Sequence, residues 1–162
     1  MSLTLLPGAA GCIFDALCAF FQADGWNVER LDDSRSLRMG FRGKNGSWLC
    51  VARAVEDNQL LIFYSVLNGA VPEARRAAAA EFLTRANYGM FLGSFELDFG
   101  DGEVRFRTSL GVEDGVLTEA MIRRLVYTNV IMMDRYFPGL MSVSHAEVDP
   151  AQAIREIEDD QA

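Results

Sequence analysis

"EFLTRANYGMFLGSFELDFGDGEVRF", Glu81 to Phe106, carries the chain from a helix into a β-hairpin, and its reading decides the class of the fold. Pro72 starts the segment that leads into it, "PEARRAAAAEFLTRANYG". Here Ala78, Ala79, Phe82, Leu83 and Ala86 share one stripe, with Arg75, Arg76, Glu81 and Arg85 outside it. That spacing predicts an amphipathic helix. Asn87-Tyr88-Gly89 ends it: Gly89 suits the left-handed residue that closes a helix, and Tyr88 is expected to be buried at the corner with its hydroxyl bonded. With Asp101-Gly102 as a two-residue turn, Phe99 pairs with Val104, Asp98 with Arg105, Leu97 with Phe106 and Glu96 with Arg107. Apolar then meets apolar and acid meets base, so the charged residues are assigned to cross-strand pairing on a wet face.

Toward the N-terminus, Ile13, Phe14, Leu17, Cys18 and Phe21 recur at helical spacing between Gly8 and Ala23, and Asp24-Gly25 supplies a stop. "WNVERL" predicts a strand. Two further strands flank Lys44-Asn45-Gly46-Ser47, where Asn-Gly favours a type I′ turn. Pairing Lys44 with Ser47 sets Phe41 against Cys50, Met39 against Ala52 and Leu37 against Ala54 on a core side. Pairing Glu56 with Gln59 continues the sheet into "QLLIFYSVL", with Ala52 against Phe63 and Ala54 against Leu61. The opposite side then carries Leu49, Val51, Val55, Leu60, Ile62 and Tyr64, with Arg38 facing Arg53 among them. An antiparallel sheet normally keeps one face polar, so this second apolar face is expected to be covered by a helix, a twin subunit or a bound partner. The like charges of Arg38 and Arg53 call for an acid, either Glu29 or another carboxylate of the chain, or a partner's.

Beyond the hairpin, Thr118 caps a long helix through about Tyr136, with Met121, Leu125, Val126, Ile131, Met132 and Tyr136 on its apolar side. Pro138-Gly139 is expected to break it. Asp149-Pro150 then starts "AQAIREIEDDQA", a short helix or an acidic tail. The predicted class is α+β, a twisted antiparallel sheet with three main helices in the order α-β-β-β-β-α-β-β-α. A single domain over residues 1–148 is followed by the acidic segment 149–162.

The totals exclude several functions. A chain of 162 residues, half of them hydrophobic, buries a core without metal or disulfide. With 23 acidic and 15 basic residues its net charge is -8, which opposes direct binding to nucleic acid or an anionic membrane and favours a basic protein partner. Cys12, Cys18 and Cys50 form no CxxC and read as buried thiols. No apolar run reaches the roughly 20 residues of a membrane span, and Asp15 interrupts the apolar N-terminus, so a cytoplasmic location is expected. The sole histidine, His145, beside Ser142 and Ser144, has no orienting acid, which argues against a catalytic pair. Asp98, Asp101 and Glu103 lack the spacing of a calcium loop. Asp32-Asp33, Glu113-Asp114 and Glu156 to Asp160 read as solvated loops and ends. "GFRGKNGSW" lacks the spacing of a phosphate loop and the helix that follows one.

The words "ADGWNVE", "FRGKNGSWLCVARA", "LLIFYSVLNGAVPEARRAAAAEFLTRANYGMFLGSFELDFGDGEVRFRTSL" and "LVYTNVIMMDRYFPGLMSV", in this order, resemble the YbjN family of bacterial proteins. Asn87, Tyr88, Gly89, Gly93, Phe95, Glu96 and the Asp101-Gly102 turn carry the most distinctive part of the likeness. The resemblance implies a type III secretion chaperone-like fold, commonly a dimer, and a regulatory role with no catalytic motif to transfer.

The expected function is therefore a non-enzymatic, protein-binding adaptor or chaperone-like module, cytoplasmic and homodimeric. It would need no cofactor or metal, and its partner would be a protein, basic or itself nucleic-acid-binding. The contact candidates are Leu49, Val51, Ile62 and Tyr64 on the sheet and Met132 and Met133 on the long helix, adaptable side chains that suit a binding groove. Arg38 and Arg53 are candidates for an anion or acidic group. The alternative is a small-ligand sensory regulator with its effector between sheet and helices, against those two arginines.

Overall fold

The computed structural model describes residues 12–31, 34–112 and 116–159, with only the backbone of Cys12. Asp32, Asp33, Glu113, Asp114 and Asp160, read above as solvated, lie outside the described residues, as does the expected helix start at Gly8. Helix α1 (Cys12–Ala23) leads into β1 (Val28–Leu31), β2 (Ser36–Arg42), β3 (Ser47–Val55) and β4 (Leu60–Val66). Helix α2 (Arg76–Asn87) crosses to β5 (Ser94–Leu97) and β6 (Val104–Gly111), and α3 (Glu119–His145) and α4 (Pro150–Glu158) complete the chain. This is the expected order with the last segment folded as a fourth helix. Asp149 caps α4 by accepting from the Gln152 N–H at 3.0 Å, and Ala153 and Ile154 are buried. The segment from 149 is thus docked on α2 and α3.

The six strands form one antiparallel sheet in the order β1-β2-β3-β4-β6-β5. Because α2 intervenes between β4 and β5, the second hairpin returns with β6 inside and β5 at the edge. All four helices share the side onto which Leu37, Met39, Trp48, Cys50, Phe63 and Phe106 project, and Phe21, Phe82, Met133 and Leu140 meet them there. Within that layer the Trp48 indole donates to Ser65 Oγ at 2.8 Å, and burial beside it pushes the Cys50 thiol up to about 11. Cys50 is inert packing. Cys18 is only half-buried, a correction to its reading as a buried thiol.

Two hairpins differ from expectation in register, each by two residues. Strands β2 and β3 pair Arg42 with Ser47, Phe41 with Trp48, Met39 with Cys50 and Leu37 with Ala52. Arg38 therefore faces Val51, Arg53 faces Ser36, and the predicted clash of two arginines does not exist. Strands β5 and β6 pair Glu96 with Arg105 and Leu97 with Val104. Strand sides repeat every second residue, so a shift of two keeps each side chain on its predicted face. The β3–β4 register is as expected, with Ala52 facing Phe63 and Ala54 facing Leu61.

The cause of the first shift lies in α3. This helix runs without a break through Pro138 to His145, against the expectation that Pro138-Gly139 ends it. A proline inside a helix leaves the carbonyl four residues earlier without its N–H, here Asp134. The Asn45 amide fills that place, donating to the Asp134 carbonyl at 3.0 Å, while the Asn45 N–H donates to the Asp134 carboxylate at 2.8 Å. To reach them the turn centres on Lys44-Asn45, closed by the Gly43 N–H donating to the Gly46 carbonyl at 2.8 Å. Asn45 and Gly46 do not take the positive φ of a type I′ turn. Glycine is needed for clearance instead: a Cβ on Gly43 would strike the Asp134 carboxylate, and one on Gly46 would lie 2.5 Å from the Phe137 ring. Asn45→Ala keeps the backbone N–H contact and is expected to cost about 1–2 kcal/mol through the orphaned carbonyl and the lost 3.4 Å contact of the amide with the Asp134 carboxylate, measured as a fall in the urea midpoint at constant slope. An unchanged midpoint would mean that water replaces the Asn45 amide.

Candidate functional site

No described element lies over the sheet side away from the helices, which carries an apolar stripe. Leu49, Val51 and Val55 of β3 lie beside Val66, Tyr64 and Leu60 of β4, and Ile62 lies opposite Arg53. Each is half-buried by its strand neighbours, except Leu49, which is 46% exposed. The alternation that buries Trp48, Cys50, Ala52 and Ala54 on one side places these residues on the other.

Charged pairs frame the stripe. On one flank the Arg38 guanidinium donates to Glu29 at 2.6 Å, the internal neutralisation that the sequence suggested. On the other, Glu96 accepts from Arg105 at 2.5 Å and from Arg107 at 2.7 Å, and the Arg105 guanidinium lies 4.6 Å from the Tyr64 ring centre. Asp98, predicted to pair with Arg105, instead accepts from the Gly100 N–H at 2.7 Å. Arg53 is exposed and forms no ion pair among the described residues.

The predicted contact residues thus fall in three places. Leu49, Val51, Ile62 and Tyr64 are gathered on this open side, with Arg38 and Arg53. Met132 lies on α3, lining a separate cleft against the loop after α2. Met133 is fully buried in the core and meets no partner in the folded chain, a correction explained by the 100° turn between successive helical residues. Arg38 and Arg53 project away from the helices, so an effector held between sheet and helices does not reach them, which corrects that placement. Tyr88 is also corrected: it is 90% exposed rather than buried at the corner. Gly89 does take positive φ, at +85°, but in the turn after α2, closed by the Met90 N–H donating to the Asn87 carbonyl at 3.1 Å, while the helix itself ends at an extended Tyr88. The corner is held by Asn87, whose side chain accepts from the Phe95 N–H at 2.7 Å and donates to its carbonyl at 3.1 Å. Ile131, placed on the apolar side of α3, is 59% exposed.

Groups that invited chemistry are occupied in other ways. His145 is exposed at the end of α3, Ser142 Oγ donates to the Pro138 carbonyl at 2.9 Å, and Ser144 is buried. Asp101 accepts from the Glu103 N–H at 2.8 Å. Asp24 is the densest polar hub, accepting from Tyr127 at 2.6 Å, Arg123 at 2.9 Å and the Trp26 indole at 3.0 Å. The Tyr127 hydroxyl, ahead of Trp26 and Arg123, holds its carboxyl below the ordinary value. Its job is to tie the end of α1 to α3. Among the described residues no three histidine, cysteine or acidic side chains are grouped to hold a metal, and no helix is long and apolar enough to cross a membrane.

A four-helix layer on one side of an antiparallel sheet, with an apolar stripe on the other, defines an α+β scaffold of the type III secretion chaperone-like kind. The sequence model of YbjN, described as "Putative bacterial sensory transduction regulator", matches residues 14–141, and the chain belongs to that family. E. coli YbjN, described in its crystal structure as "a putative transcription regulator", superposes with a TM-score of 0.59 at 17% identity, over 80% of this chain and 89% of that one. A chain of the ExsC–ExsE complex superposes with a TM-score of 0.50 at 15% identity, over 81% and 90%. A chain of the HopA1–SchA chaperone–effector complex gives 0.48 at 17% identity, over 78% and 95%. No curated protein matches in sequence.

Proposed function

We propose that this protein is a non-enzymatic, chaperone-like adaptor that holds a segment of another cytoplasmic protein against the open side of its sheet, and that it works as a homodimer. One observation carries the reading: the Leu49, Val51, Ile62, Tyr64 stripe has no described helix over it, while ion pairs border it on both flanks. An apolar centre with a polar rim is the ordinary anatomy of a protein interface. The net charge of -8 favours a basic partner, steering its approach more than fixing its affinity. Arg53, without an ion pair among the described residues, is available for an acidic group of that partner. The likeness to a chain of the ExsC–ExsE complex supports a protein-binding role as an analogy of fold.

The double variant Ile62→Glu, Tyr64→Glu tests it. Two carboxylates pressed into an apolar interface are expected to weaken association by about 3 kcal/mol or more, over a hundredfold in Kd. Light scattering should then report the mass of one 18.0 kDa chain, and captured partner should be lost, with helix content unchanged. Association equal to that of the unaltered protein would remove this face from the function.

A further inference from the structure

A second surface lies on the helical layer, remote from the open sheet side and independent of the function proposed for it. The loop after α2 and the outer stripe of α3 enclose a cleft of about 500 Å³. Two of the six large apolar side chains exposed among the described residues line it. Tyr88 and Phe91 stand on the loop, 90% and 105% exposed. Arg124, Thr128, Met132 and Arg135 of α3 line the cleft at spacings of four, four and three, the repeat of a single helix face. Met132 lines the floor.

The two arginines stand at the ends of that stripe. Eleven residues of helix separate them by about 16 Å along the axis. Neither forms an ion pair among the described residues, and Arg135 Nε is buried with no hydrogen-bond partner. The one carboxylate lining the cleft, Glu158, accepts from the Tyr136 hydroxyl at 3.1 Å. Elsewhere in this acidic chain the exposed arginines of α2 and α3 find carboxylates one turn away, Arg85 with Glu81 and Arg123 with Glu119. The cleft therefore presents unmatched positive charge at both ends of an apolar, aromatic strip. A wall of exposed loop and helix side chains, rather than an enclosed cavity, suits a polypeptide segment.

We propose that this cleft binds an acidic segment of a partner protein, with two carboxylates about 16 Å apart meeting Arg124 and Arg135 and apolar side chains between them packing on Tyr88, Phe91 and Met132. In an extended segment those carboxylates are about four or six residues apart, an even spacing that keeps both on one side, and in a helical one about eleven.

Fluorescence anisotropy with two synthetic peptides tests this on the full chain. One is an extended Glu-Thr-Phe-Thr-Leu-Thr-Glu core flanked by glycine and serine, which puts both glutamates, the phenylalanine and the leucine on one side, and the other an alanine-based helix with glutamates eleven apart and leucines on the same face. At least one should bind, and replacing its glutamates by lysine should weaken it about tenfold or more, the scale of two partly screened ion pairs. The double variant Arg124→Gln, Arg135→Gln should lose the same factor at unchanged helix content, and Phe91→Ala should weaken both charge forms alike. Ile62→Glu on the open sheet side should leave peptide binding unchanged, so failure here and failure of the sheet-face function are separately visible. Equal binding of the lysine peptides, full binding by the double arginine variant, or no binding of either peptide below about 1 mM would overturn the proposal. So would displacement of the peptides by a second copy of the chain, seen as self-association abolished by the arginine variant, or by phosphatidylglycerol vesicles alone.

Discussion

Asn129→Asp is expected to remove a large share of the stability of the fold at neutral pH. Asn129 is fully buried on α3 and its amide nitrogen donates to the Phe63 carbonyl at 2.9 Å, the Phe106 carbonyl at 3.0 Å and Thr108 Oγ1 at 3.1 Å. Thr108 in turn donates to the Leu125 carbonyl at 3.0 Å, so helix and sheet are joined by one small polar network. Two strand carbonyls facing the same atom require a donor there, which fixes the orientation of the amide. An aspartate of the same shape offers only acceptors when ionised and sets a buried charge against two carbonyls. The cost is expected to be about 4 kcal/mol or more, a large share of the 5–15 kcal/mol typical of a domain. Its carboxyl is forced above the unfolded value of about 3.9, so the protonated form is the one that folds, donating one hydrogen bond. The deficit is then smallest below pH 4 and grows by about 1.4 kcal/mol per pH unit until the raised folded-state value is passed. Urea midpoints across pH 3–8 measure it. A midpoint matching that of the unaltered protein, or a deficit flat in pH, would show that the network is not holding the layers together.

Gly102→Val is expected to cost about 3 kcal/mol or more, because two independent penalties meet at one residue. Gly102 has φ +82°, which a β-branched side chain tolerates worst. A Cβ there would also be driven into the Val71 carbonyl oxygen, with the Arg76 guanidinium 3.0 Å away. The contact cannot simply open. The Val71 N–H donates to the Gly102 carbonyl at 2.9 Å, and Arg76 donates to the Phe99 and Gly100 carbonyls at 2.9 and 3.3 Å. Gly25→Ala is the control, since Gly25 has φ +76° and nothing within 4 Å of a Cβ. Its cost should be that of the backbone alone, about 1–2 kcal/mol. Thermal melts of the two variants separate strain from clash, and equal losses would refute the steric half of the argument.

The same contacts explain which expectations required correction. Every strand side was readable because side chains alternate with a period of two, and Trp48, Cys50, Ala52 and Phe63 must share the core whatever the exact pairing. Register was less readable. Asp101-Gly102 has the residues of a tight turn, but Arg76 and Val71 draw the loop onto the start of α2, and the strands pair two residues away from the local optimum. Lys44-Asn45-Gly46 was decided likewise by Asp134, ninety residues later, whose carbonyl Pro138 leaves open.

The candidate surfaces divide along the same line. The Leu49, Val51, Ile62 and Tyr64 stripe was legible from alternation, and the Glu29–Arg38 pair from adjacency in the sheet. The cleft was not. Tyr88, with Gly89 after it, looked like a buried corner, and only the docking of α3 beside the loop brings Arg124, Met132 and Arg135 to the same place. Local pattern alone determined the α+β class, the succession of helices and strands, and the side on which each residue lies, because these follow from backbone periods of 3.6 and 2. Tertiary structure decided the two hairpin registers, the passage of α3 through Pro138 and the joining of loop and helix into a cleft, because each depends on a hydrogen bond or a clearance between residues distant in sequence.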